Sequence, residues 1–108
     1  MPADPSDARS LDEQFGRLWE NDRRTQRDRL AVLARAMLTN PDAASRAEAA
    51  REAHALAGVA ATYGFSRAAA IARKLEQTFE AAAALSPDTG MLVSELAAAL
   101  EEPYQPRG

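Results

Sequence analysis

The sequence predicts an all-α protein, an antiparallel four-helix bundle with an additional helix at its N-terminus. Three observations carry that prediction. Alanine dominates the composition; there are only three phenylalanines, two tyrosines and one tryptophan; and apolar residues recur at three- and four-residue intervals between short breaks marked by proline, serine or glycine. Small side chains favour helices packed closely together over a sheet of β-branched and aromatic residues, and the spacing is that of helix faces. The 108 residues suffice for one compact domain. The expected division is a disordered lead over 1–8, a folded domain over 9–102 and a flexible tail over 103–108.

Ser10-Leu11-Asp12-Glu13 reads as a capping box that opens a first helix, with Leu11, Phe15, Leu18 and Trp19 on its apolar stripe. Phe15, Trp19 and Phe79 are expected in the core because each falls on such a stripe. The break after the first helix, at Asn21-Asp22, has no glycine or proline to enforce it, so this segment and the next are also compatible with one bent helix. A second helix from about Arg24 places Leu30, Leu33, Ala34, Met37 and Leu38 on one side and stops at Asn40-Pro41. A third, from Ala43 or Ser45 through Tyr63, turns Ala50, Ala53, Leu56 and Ala60 inward, with Gly64 as a left-handed cap. Ser66 is expected to cap a fourth helix with Ile71, Leu75, Phe79 and Ala82 inside and Arg73, Lys74, Glu76 and Glu80 outside. Ser86-Pro87 opens a fifth, whose apolar face is Leu92, Val93, Leu96 and Leu100 and which Glu101-Glu102-Pro103 ends.

Several function classes are disfavoured by what is missing. The net charge is -3, from 13 basic and 16 acidic side chains that are interleaved along the chain. Nucleic acid is therefore not an expected partner, and Arg23, Arg24, Arg27 and Arg29, interrupted by Asp28, read as a solvated helix face. The acidic, proline-broken start does not resemble a secretory signal, and no run reaches membrane-spanning length, so a cytoplasmic, monomeric protein away from the membrane is expected. With no cysteine and one histidine, neither a disulfide nor a metal site is expected. There is no glycine-rich phosphate loop and no nucleophile elbow, so the chain is not expected to be an enzyme in its own right.

What remains is the single histidine, His54. The stripe of the third helix leaves its ring on the exposed side, with Ala57, Gly58 and Ala61 following on the same face. A glycine inside a helix costs about 1 kcal/mol relative to alanine, and close approach of another molecule to the ring is a reason to keep one at Gly58. An imidazole in water is mostly neutral at pH 7, which leaves one ring nitrogen free to attack phosphorus. Phosphoryl transfer needs in-line positioning and cations to offset the oxygen charge, and a partner can bring both.

The run His54, Leu56, Gly58, Gly64, Phe65 resembles the phosphorylation motif of histidine-containing phosphotransfer domains, and Ser66 to Gln77 is similar to the helix that follows it in that family. The resemblance implies a phosphohistidine at His54 relaying phosphoryl groups between receiver-domain aspartates of response regulators or hybrid kinases in two-component signalling. It also implies no intrinsic kinase activity and no cofactor of the chain's own, the magnesium being held by the receiver. The sequence departs from the pattern at Ala57, where the family usually has a lysine that helps to neutralise the phosphate. Arg51, one turn before His54 on the same side, is the candidate stand-in. The alternative reading is a helical module that docks a receiver or kinase without accepting phosphate.

Overall fold

The computed structural model describes residues 5–38, 41–81 and 84–105. They form four helices: α1 (Pro5–Leu38), α2 (Ala43–Thr62), α3 (Ser66–Glu80) and α4 (Pro87–Leu100). Each helix packs on its neighbour in sequence, and α4 returns against α1 to close the bundle. Cross-helix contacts set the directions. Trp19 meets Tyr63 while Arg29 meets Glu52, so α1 and α2 run oppositely. Arg23 reaches Leu100 while Met37 lies beside Gly90, so α1 and α4 do too.

The two N-terminal helices of the sequence reading are one. α1 runs unbroken through Asn21 and Asp22, both exposed, because polar residues on a solvent face do not interrupt a helix that lacks glycine and proline there. It also begins earlier than expected. Pro5 is tolerated at the start, where its missing amide hydrogen has no partner to lose, and Ser10 falls inside the helix instead of capping it. Thirty-four residues span about 51 Å at 1.5 Å each, matching the 55 × 21 × 21 Å shape of the molecule.

The buried face of α1 differs from the expected one. Trp19, Leu33 and Ala36 are buried, whereas Leu11, Phe15 and Leu18 are 55%, 43% and 50% exposed, and Ala34 and Leu38 face solvent. Arg23 and Gln26 are buried in their place. Arg23 was expected on a solvated face, but it fills the α1–α4 seam. It donates to the Leu100 carbonyl at 2.7 Å and to Glu20 at 2.7 and 3.0 Å, and its guanidinium lies 5.5 Å from the Trp19 ring centre. The Leu100 carbonyl is at the end of α4, where carbonyls lack helical partners, so Arg23 satisfies an otherwise orphaned acceptor. Arg27 adds a two-pronged pair to Glu101, at 2.7 and 2.9 Å. Those bonds hold the Glu101 carboxyl below the usual carboxylate range and raise the Arg27 guanidinium.

The remaining helices follow their stripes more closely. Asp42 caps α2, accepting from the Ser45 amide at 2.8 Å, and that bond lowers its pKa. Ala50, Ala53, Leu56 and Ala60 are buried as expected. Gly64 takes φ 83°, the left-handed conformation predicted for it, and two bonds close the turn: Phe65 N–H to Ala60 O at 2.8 Å and Gly64 N–H to Ala61 O at 3.2 Å. Ser66 does not cap α3. Phe65 occupies the N-cap position, Ser66 is the first helical residue, and no side chain caps the helix. Ile71, Leu75 and Phe79 are buried, while Ala82 and Asn40 lie outside the described residues. Arg46 on α2 donates to the Thr78, Phe79 and Ala81 carbonyls, closing the far end of α3 much as Arg23 closes α4. Ser86 and Pro87 open α4 in the expected positions, although the Ser86 carbonyl, not its hydroxyl, takes the Thr89 amide.

Candidate functional site

α2 and α3 pack closely because their facing residues are small: Ala50, Ala53, Ala57 and Ala60 on one side, Ala68, Ala69 and Ala72 on the other, all buried. His54 sits on the rim of this seam. Ala53 beside it is fully buried, while the His54 side chain is 76% exposed, as the helical phase requires.

One turn further along, Gly58 is exposed, and a Cβ built on it would meet nothing within 4 Å. Internal packing therefore does not explain this glycine, and the face beside the ring is open. Ala57 is not part of that face. It is 4% exposed, because it lies four residues after Ala53 and three before Ala60, both of which point inward.

The residue that the sequence reading missed is Glu76. Expected to face solvent, it is half-buried, and its Oε1 lies 2.8 Å from His54 Nδ1. A carboxylate only accepts, so Nδ1 carries the proton, and in the neutral imidazole the lone pair is on Nε2. The signal was present in the pattern: Glu76 follows buried Ala72 by four residues and precedes buried Phe79 by three, which puts it at the edge of the α3 stripe.

Arg51 is exposed and shares a shallow depression with His54, Ala47, Ala50, Glu76 and Glu80. The structure thus brings together His54 and Arg51 from the sequence-predicted set, keeps Gly58 open beside them, and withdraws Ala57 into the core. Among the described residues, no group of three or more histidine, cysteine or acidic side chains is placed to hold a metal ion, and no helix is long and apolar enough to cross a membrane.

A four-helix antiparallel bundle whose second helix offers one solvent-facing imidazole, oriented by a carboxylate on the third, defines a helical module that presents an accessible histidine ring. The family model of the Hpt domain matches residues 17–103, and the chain belongs to the Hpt domain family. Hpt domains serve phosphotransfer in two-component signalling and interact there with receiver domains. No curated protein and no solved structure matches the chain.

Proposed function

We propose that His54 accepts a phosphoryl group on Nε2 from a receiver aspartyl phosphate and passes it to another receiver aspartate, with no kinase activity of the chain's own. The observation that carries this reading is the 2.8 Å bond between His54 Nδ1 and Glu76 on a side chain that is 76% exposed, which in the neutral ring puts the lone pair on Nε2. In the forward step the Nε2 lone pair forms the N–P bond as the bond from phosphorus to the aspartyl oxygen breaks, and the aspartate leaves as a carboxylate. The ring becomes cationic while keeping its Nδ1 proton, and the Glu76 carboxylate stabilises that charge. Magnesium on the receiver and the receiver's own geometry supply the in-line alignment. Arg51 offers positive charge from within the same depression, and Gly58 leaves room for the partner to approach.

Incubation with a phosphorylated receiver tests the proposal. Wild type should acquire an acid-labile, base-stable phosphate that His54→Gln lacks. Glu76→Gln should slow labelling by about one to two orders of magnitude, because its amide holds the ring less firmly and no longer offsets its charge. Labelling absent with every cognate receiver would favour the docking module that accepts no phosphate, for which the burial of Ala57 at the expected lysine position speaks.

A further inference from the structure

A phosphoryl group on His54 Nε2 introduces a charge of about -1.5 to -2 beside Glu76, and Glu80 lies in the same depression. Two carboxylates so close to a phosphate require cations nearby. Arg51 is one, and it faces both Glu76 and Glu80 across the depression they share, so one cation stands against two carboxylates and the phosphate. On the other side of the ring, α2 contributes buried Ala57, open Gly58 and, a turn further, exposed Ala61, none of them charged.

We propose that Arg73 of α3 supplies the second positive charge beside a phosphoryl group on His54, reaching it across the open face at Gly58; this rests on the phosphoacceptor reading above. The register of the seam places it. α2 and α3 are antiparallel, with His54 opposite Glu76. Three residues back along α3 is Arg73, and three residues forward along α2 is Ala57, so both lie at the same level, about 4.5 Å along the axis from the ring. Arg73 and Glu76, spaced i and i+3, share one face of α3 with Cβ atoms about 5–6 Å apart. Arg73 is exposed, and no ion pair to it exists among the described residues. A Cβ built on Gly58 would meet nothing within 4 Å, so α2 leaves room beside the ring for a side chain from α3. Lys74, the next residue, turns the other way, into a depression with Thr78, Asp88 and Glu95 on the α4 side. The planar guanidinium suits the task, since it presents paired donors to phosphate oxygens.

The test uses the full chain and phosphoramidate, a small donor that phosphorylates imidazole without a receiver. Phosphorus NMR would follow the phosphate on His54 as pH is varied. Wild type should titrate its phosphate at lower pH than Arg73→Ala, since a nearby cation favours the dianion, and Arg73→Lys should restore most of the difference. Labelling of Arg73→Ala should be slower by about fivefold, the effect of one unit-charge contact at a few ångströms in water. Because Arg73 is exposed, circular dichroism of the variant should match wild type. Labelled variants with wild-type titration and rate overturn the role of Arg73 alone. So does a loss that Arg73→Lys does not restore. A wild-type chain that takes phosphate neither from phosphoramidate nor from a receiver overturns the phosphoacceptor reading itself.

Discussion

Around His54, the α2–α3 seam is made of alanines with one fully buried leucine from each helix, Leu56 and Leu75. Where α1 meets the end of α4, the material is large and charged. Trp19 stacks 4.6 Å from Phe65 and 5.2 Å from Tyr63, Tyr63 meets Tyr104 edge-on at 6.3 Å, and Arg23, Arg27 and Glu101 bridge the helices. Small residues bring two backbones close and leave few side-chain rotamers to choose among, so the ring at the rim is positioned by the register of the two helices and by its bond to Glu76. Bulky residues bury more apolar area per contact and hold helices that touch at fewer points. The difference separates what keeps the bundle folded from what presents the imidazole, and substitutions at the two regions should act on different measurements.

The largest effect is expected from Trp19→Ala. It removes a fully buried indole and should cost about 3–5 kcal/mol in urea unfolding, enough to populate the unfolded state of a domain this size. Phosphorylation per folded molecule should stay unchanged. Trp19→Phe should cost far less, since the buried indole Nε1 has no protein partner to lose. Arg23→Ala comes next, at about 2 kcal/mol, because it strips the Leu100 carbonyl and Glu20 of a buried charged donor. If Arg23→Ala instead altered phosphoryl transfer at constant stability, the separation of the two regions would be broken.

Gly58→Ala should do the reverse. Its Cβ meets nothing, so the helix should gain about 0.5–1 kcal/mol, while transfer from a receiver slows if the partner passes close to this face. A gain in stability with unchanged transfer would deny the glycine a role in access. The smallest effect is acid sensitivity at the α1–α4 end. Glu101 has a lowered folded pKa, so its contribution is present above the unfolded value near 4.5 and is lost as pH falls through the folded one. Glu101→Gln should therefore flatten the dependence of stability on pH below about 4.5, read from urea midpoints at several pH values.

Much of this was legible from residue spacing. The stripes of α3 and α4, the inward alanines of α2 and the left-handed Gly64 all follow from periodicity and cap chemistry, because each is a local property. The missed features are of three kinds. The unbroken α1 was ambiguous because Asn21 and Asp22 neither forbid nor demand a helix. Arg23 and Gln26 fall on the same face as Trp19, Leu30 and Leu33, but a polar residue on a buried stripe reads as solvent-facing until its partners on α4 are known. Glu76 was missed because its partner lies on another helix, and pairing across helices depends on register, which one helix cannot reveal. Ala57 could have been placed correctly from its spacing to Ala53 and Ala60.

The register of α2 against α3 is set at the turn around Gly64. Phe65 lies eleven residues after His54 and eleven before Glu76, so the two members of the hydrogen-bonded pair are equidistant from the bend that joins their helices. The distance between ring and carboxylate is thus written into the length of a loop about three turns away from it. Adding one residue there would carry Glu76 about 100° around the axis of α3 and 1.5 Å along it, out of reach of His54. Every atom at the rim would keep its chemistry, yet the imidazole would lose the group that holds the proton on its Nδ1. Chain length between Thr62 and Ser66 is therefore as much a part of the His54–Glu76 pair as the two side chains, and insertions should be tolerated there less well than their exposure suggests.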